Sequence, residues 1–194
     1  MSSGLAASAD SGLPELIRTR IRDIPDYPQP GIVFKDITPL LADGPAFAAV
    51  VTAIAAGHPE GPGSPGKAGW GEIHKVVGIE ARGFILAAPV ACCLQAGFVP
   101  VRKQGKLPAM AYAESFELEY GSATVEVHTD AFEPGERVLI VDDVLATGGT
   151  AAATASLVRR SGAEVAGVAV LLELGFLNGR ASLPGLEVRS LLAV

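Results

Sequence analysis

Two adjacent carboxylates, Asp142 and Asp143, end the apolar run Val138-Leu139-Ile140-Val141 and precede the small turn Ala146-Thr147-Gly148-Gly149-Thr150. The segment Ala151 to Arg160 that follows is rich in alanine and reads as a helix. The order predicts a buried strand, a tight turn and a helix start, and in an open α/β sheet ligands bind at the carboxyl ends of the strands. The first amides of a helix lack internal partners and carry the positive end of the dipole, so an anion is welcome there. Gly148 and Gly149 allow close approach of backbone to ligand; Thr147 and Thr150 add hydroxyl donors, and Thr150 is also an N-cap candidate. The turn lacks the Gly-Lys-[Ser/Thr] ending of a nucleotide triphosphatase loop. The chemistry implied is a sugar phosphate, with its phosphate on the N–H groups and its hydroxyls on the carboxylates. A plain structural corner would also use the two glycines, but it has no need of two acids in front of them.

Three other segments carry residues suited to the same chemistry. Val76-Val77-Gly78-Ile79-Glu80-Ala81-Arg82-Gly83-Phe84 is a second strand-turn-helix corner, where Arg82 could clamp a phosphate through paired hydrogen bonds. A solvated arginine at a turn would read the same. Val101-Arg102-Lys103-Gln104-Gly105-Lys106-Leu107-Pro108 gathers three cations on a Gly- and Pro-containing stretch, and the residues on to Tyr120 lack clear periodicity, so a lid or a solvated basic turn both fit. Near the amino end, Phe34 offers an aromatic face for stacking, or serves as a core ring beside Ile32.

The acidic pair and the Ala146–Thr150 loop resemble the phosphoribosyl-pyrophosphate signature of the type I phosphoribosyltransferases. The Glu80-Ala81-Arg82-Gly83 turn and the segment Arg22 to Leu40 resemble, more narrowly, the adenine branch of that family. The resemblance runs from about Arg18 to Leu192, with four motifs in the family order. It implies an α/β fold of the type I phosphoribosyltransferases: a mostly parallel central sheet with helices on both faces, plus a small N-terminal hood. It implies transfer of the 5-phosphoribosyl group from phosphoribosyl pyrophosphate to adenine, giving AMP and pyrophosphate in purine salvage, with Mg²⁺ carried by the substrate rather than held by direct protein ligands. By resemblance, Asp142, Asp143, Ala146, Thr147, Gly148, Gly149 and Thr150 bind ribose and 5-phosphate. Arg82, Arg102 and Lys106 neutralise pyrophosphate, Glu119 handles the purine proton, and Arg82 and Glu119 are the catalytic pair. Val33, Phe34 and Lys35 bind adenine, Phe34 by stacking and its neighbours through main chain. The family also implies a homodimer and a non-proline cis peptide at Glu80–Ala81. Two departures stand out: Gln104 replaces a frequent third basic residue, and Lys35 stands where arginine is common. The alternatives are a transferase acting on xanthine or hypoxanthine and a regulator that senses phosphoribosyl pyrophosphate.

The elements that must position these groups follow from periodicity and punctuation. Leu13 to Arg22 predicts an amphipathic helix, Asp23 to Gly31 an irregular proline-rich stretch, and Pro39 to Ala56 a helix capped by Thr38. Gly57 to Gly71 holds six glycines and three prolines and predicts a surface loop inserted within one domain spanning residues 1–194. Strands are expected at Lys75–Ile79, Phe98–Arg102, Val138–Val141 and Glu164–Glu173, with helices at Phe84–Ala96 and up to Ser161. Tyr120 to Thr129 alternates and predicts one half-exposed strand or a pair. Hydrophobic residues make up 49% of the 194, enough for a full core, and the net charge of −6 argues against non-specific nucleic-acid or membrane binding. No signal segment or membrane-spanning run is evident, residues 1–12 are expected to be disordered, and a cytoplasmic protein is expected. Cys92 and Cys93 read as small core residues, and His58, His74 and His128 show no metal-ligand spacing.

Overall fold

The amino-terminal residues form a small two-stranded unit between short helices. The computed structural model describes residues 12–57, 69–117 and 121–194. Expectations for residues 1–11, for most of the Gly/Pro-rich segment and for Glu119 and Tyr120 therefore lie outside the described residues. Helix α1 (Leu13–Arg18) is shorter than expected, because the chain turns at Thr19 and enters strand β1 (Arg22–Pro25). β1 pairs antiparallel with β2 (Val33–Asp36), so residues 23–25, expected to be irregular, are strand. Proline masks such a strand in sequence, yet Pro25 sits at its end, where a missing donor matters least. The expected helix Pro39–Ala56 is two: α2 (Thr38–Ala42) and α3 (Gly44–Ala56). Asp43 breaks them by adopting an extended conformation, and its Oδ1 accepts from the Ala46 N–H at 3.1 Å, capping α3. Thr38 is not the cap of α2; that position is Ile37.

The main sheet follows the apolar runs. Strand β3 (Lys75–Ile79) leads through helix α4 (Gly83–Leu94) to β4 (Gly97–Lys103). An antiparallel hairpin, β5 (Ala111–Glu117) and β6 (Ser122–His128), comes next, so part of the stretch expected to be irregular is regular strand. Strand β7 (Arg137–Leu145), helix α5 (Gly149–Arg160), β8 (Glu164–Glu173), two short 3-10 turns and β9 (Val188–Ala193) complete the chain. The sheet order is β5-β6-β4-β3-β7-β8-β9, with β4, β3, β7, β8 and β9 mutually parallel. Contiguous Val/Leu/Ile runs suit strands buried on both faces. One core layer packs α1, α3 and α4 against the sheet through Ile17, Val50, Leu86 and Leu139; the other packs α5 through Leu157 and Val158 against Val138 and Ile140.

Three side chains depart from expectation in this core. Cys92 and Cys93 are exposed, because α4 buries the face carrying Leu86, Ala87, Val90 and Ala91 and turns the thiols outward. Trp70, within the expected surface loop, is 5% exposed and donates its Nε1–H to the Ile54 carbonyl at 2.8 Å. The lone aromatic had no periodic neighbours to mark it as core.

The topology fixes where a ligand goes. β3 and β7 are neighbours, and their crossovers pass over opposite faces: β3 continues through α4 to β4 on one side, β7 through α5 to β8 on the other. A crevice opens between their carboxyl ends, at the topological switch point.

Candidate functional site

β7 does not stop at the carboxylates. It runs through Asp142 and Asp143 to Leu145, because β8 continues beside it and pairs Val170 with Asp142 and Leu172 with Val144. The acids are thus held on rigid strand rather than on a loop. Asp142 Oδ1 accepts from the Asp143 N–H at 2.9 Å, while Asp143 is only 6% exposed. Burial pushes the Asp142 carboxyl well above its ordinary value of 3.8, and the neighbouring Asp143 charge raises it further. Burial raises Asp143 as well, against the pull of Arg82. Two desolvated acids side by side favour any ligand that donates hydrogen bonds or brings positive charge.

The turn after β7 makes a phosphate-sized recess. A cavity of about 60 Å³ is lined by Asp142, Val144, Leu145, the whole turn Ala146–Thr150, Ala151 and Val170. Gly148, at φ 83°, is the N-cap of α5; the expected Thr150 cap lies in the first helical turn instead. No side chain caps this helix, so its first amides are left for a ligand. The recess is braced from outside: the Ser182 hydroxyl donates to the Thr147 carbonyl at 2.8 Å, and the Gly179 carbonyl closes on Gly148 where a side chain would otherwise sit. Neither Ser182 nor Gly179 was marked by sequence, since each acts on backbone far from it along the chain, Ser182 on Thr147 and Gly179 on Gly148.

Opposite the acids, the peptide bond Glu80–Ala81 at the end of β3 is cis. Arg82 follows it and reaches across the crevice. Its Nη2 lies 2.6 Å from Asp143 Oδ2, an ion pair whose geometry is off the line of a hydrogen bond and leaves that buried oxygen without a donor. Its Nη1 donates to the Lys35 carbonyl at 3.5 Å, and its guanidinium carbon stands 4.9 Å from the Phe34 ring centre. Gly83 permits this packing: a Cβ there would lie 2.7 Å from Asp142 Oδ1.

The basic segment approaches from β4. Arg102 is in the strand and Lys106 in the turn beyond it, and Arg102 Nη1 donates to the Lys106 carbonyl at 3.1 Å. Both cations lean on Glu80, with Lys106 Nζ 2.5 Å from Oε1 and Arg102 Nε 3.4 Å from Oε2. Gln104 donates its backbone N–H to the Thr124 carbonyl at 3.1 Å, which ties the turn to β6. Glu119 lies outside the described residues. On β5, the Glu117 carbonyl would lie 3.6 Å from a Cβ on Gly149, beside the turn that starts α5.

In the hood, Phe34 meets Tyr27 edge to face at 5.2 Å between ring centres and is half-buried. Val33 is exposed. The Lys35 ammonium contacts both Asp23 oxygens at 2.8 Å, so its side chain is spoken for and only its main chain faces the crevice, through the carbonyl bound by Arg82. The acidic pair, Arg82, Phe34 and the Lys35 carbonyl are therefore brought to one crevice, with Arg102 and Lys106 gathered on Glu80 beside Arg82, while no contact joins the exposed Val33 to them among the described residues. Among the described residues no three His, Cys, Asp or Glu side chains gather to hold a metal.

Comparison with known proteins agrees with this geometry. The phosphoribosyl transferase domain family matches residues 40–180. The adenine phosphoribosyltransferase of Acidothermus cellulolyticus is 59% identical over 186 residues, covering 96% of this chain and 98% of the relative. The crystal structure of the adenine phosphoribosyltransferase from Rhodothermus marinus has a TM-score of 0.84 at 51% identity, covering 94% of this chain and 98% of that one. The Saccharomyces cerevisiae adenine phosphoribosyltransferase, complexed with an imino-altritol bisphosphate and adenine, has a TM-score of 0.80 at 33% identity and covers 92% and 98%. With this fold, this crevice and relatives that match it nearly end to end, the chain belongs to the adenine phosphoribosyltransferase family of type I phosphoribosyltransferases.

Proposed function

We propose that this protein, as a single domain, transfers the 5-phosphoribosyl group from phosphoribosyl pyrophosphate to adenine, releasing AMP and pyrophosphate for purine salvage. The observation that carries the reading is Arg82, which touches Phe34 on the hood side and Asp143 on the sheet side of one crevice. A donor and a base bound on either side of it would meet at the anomeric carbon.

The 5-phosphate sits on the amides of Gly148, Gly149 and Thr150, with Ala146 and Thr147 shaping the recess. Asp142 and Asp143 accept from the ribose hydroxyls. As the bond to pyrophosphate breaks, positive charge grows on the ribose, and the two buried carboxylates favour it. Arg82, Arg102 and Lys106 take the negative charge of the leaving group. Adenine stacks on Phe34 and reads the main chain of Val33 and Lys35, while Glu119 holds the proton that the base must give up. Most of the rate then comes from positioning and electrostatics. Two carboxylates are too few for an all-protein cage, a donor set that fits Mg²⁺ held largely by substrate oxygens. When bound, the ion supplies charge neutralisation on the pyrophosphate.

The protein works as a homodimer in the cytoplasm on this reading. In support, α4 exposes Ile85 at 44% near its start and Cys92 and Cys93 near its end, and two free thiols suit a reducing compartment. No described helix is long and apolar enough to cross a membrane. The deciding experiment incubates the protein with phosphoribosyl pyrophosphate, Mg²⁺ and adenine, hypoxanthine or xanthine in turn. AMP formed from adenine is expected, and preferred turnover of either oxopurine would overturn the assignment.

A further inference from the structure

Two of the three cations assigned to pyrophosphate, Arg102 and Lys106, already have an anion. Glu80 is held at the end of β3, with its backbone N–H donating to the Val101 carbonyl at 2.9 Å and its side chain 9% exposed. Its carboxylate fans out to the basic segment. Oε1 meets Lys106 Nζ at 2.5 Å, and Oε2 accepts from the Lys103 backbone N–H at 2.9 Å and faces Arg102 Nε at 3.4 Å. That last N–H is buried and lacks a hydrogen-bond partner, so Arg102 still presents one donor for an acceptor to satisfy. Burial alone would raise the Glu80 carboxyl, but the hydrogen bonds from Lys106 and Lys103 hold it below its ordinary value.

We propose that Glu80 is a positioning residue that stands in for pyrophosphate: it gathers Arg102 and Lys106 beside the end of β3 and competes with the arriving or departing anion for them. The idea rests on the assignment of those cations to pyrophosphate. Lys106 is the part able to change partner, since its side chain is 47% exposed and lies on the segment beyond the end of β4. Glu80, clamped in the strand end, stays. Every pyrophosphate bound must therefore be exchanged against a carboxylate, and every pyrophosphate released finds its cations re-paired at once. Such a device weakens product binding and keeps Arg102 and Lys106 from repelling one another in the free enzyme.

The test measures affinity of the whole protein for inorganic pyrophosphate and for ribose 5-phosphate by titration calorimetry. Glu80→Gln keeps the shape and removes the charge. Pyrophosphate affinity is expected to rise about three- to tenfold, as fits one partly exposed ion pair, with ribose 5-phosphate affinity unchanged. A gain of affinity confined to one ligand does not come from a loosened fold. Unchanged or weaker pyrophosphate binding in Glu80→Gln overturns the proposal. If that variant does not fold, Glu80→Asp, which keeps the charge but falls short of Lys106, is expected to show a smaller gain, and no gain overturns the proposal equally. Lys106→Ala separates the premises: unchanged pyrophosphate affinity there would sink the subsite assignment and the proposal with it. A loss there, without a gain in Glu80→Gln, would sink the stand-in role alone.

Discussion

Arg82 and Phe34 are stacked across the crevice, the guanidinium carbon 4.9 Å from the ring centre, although they belong to the sheet and the hood respectively. The same guanidinium pairs with Asp143, so one side chain links both halves of the site. Arg82→Ala is expected to lower kcat/KM by about a hundredfold or more, the scale of a lost transition-state charge partner. Arg82→Lys should recover only part of it, because an ammonium lacks both the flat face and the fork. Steady-state kinetics of the two variants, with thermal unfolding to check the fold, reads this out; near-normal turnover in Arg82→Ala would remove Arg82 from the mechanism.

The acidic pair carries an expected trade between stability and activity. A carboxyl whose folded pKa is raised binds more protons in the native state, so its burial destabilises the fold above that pKa and stops doing so as pH falls toward 3.8. Asp142→Asn should therefore unfold at a higher temperature than the wild type at neutral pH, with the advantage shrinking on acidification, while turnover falls about a hundredfold. Melting curves from pH 4 to pH 8 check it. An advantage that grows in acid would contradict the raised pKa.

Gly83 begins α4, where alanine ordinarily helps a helix by about 1 kcal/mol. Here a Cβ would sit 2.7 Å from Asp142 Oδ1 and 3.1 Å from the Val141 carbonyl. Gly83→Ala is expected to cost stability and to displace Asp142, with kcat falling at least tenfold, about 1.4 kcal/mol of barrier. A variant as stable and active as the parent would show that the helix start yields freely.

Ser182 braces the turn Ala146–Thr150 by its bond to the Thr147 carbonyl. Ser182→Ala should lower stability by about 0.5–1.5 kcal/mol and raise KM for phosphoribosyl pyrophosphate with little change in KM for adenine. Denaturant unfolding and separate KM measurements for the two substrates test that split; a matching rise in the adenine KM would mean the brace serves the whole crevice.

Phe34→Ala should raise KM for adenine about tenfold through lost stacking, leaving the donor KM nearly unchanged. Tyr27 alone would then be left to cover that side of the hood. An unchanged adenine KM would return Phe34 to a packing role.

The parallel centre of the sheet was legible because Lys75–Ile79, Val138–Val141 and Glu164–Glu173 are apolar runs that only a doubly covered strand requires. The acidic pair was legible as chemistry, but its place within β7 was not: strand pairing with Val170 and Leu172 extends the ladder past the carboxylates, and pairing is not written in one segment. The break at Asp43 had a local signal in Asp-Gly-Pro that the long apolar pattern overrode. Gly179 and Ser182 left none, because their work is done through carbonyls brought close by the fold. Glu80 carried no signal of its own in sequence, because its partners Arg102 on β4 and Lys106 beyond it are brought beside it only by the fold.

Where the Gly/Pro-rich stretch leaves and re-enters the fold bears on how such a chain can lengthen. The Ala56 carbonyl would lie 3.0 Å from a Cβ on Gly69, so the two ends of residues 58–68 meet, sealed by Trp70 beneath them. They do so before β3 begins, on the rim of the sheet opposite the crevice. Closing a loop whose ends already touch costs only about 0.6 kcal/mol more for each doubling of its length. This spot is therefore a natural port: a foreign segment grafted there would hang from the far rim, and the crevice between β3 and β7 would not register its presence.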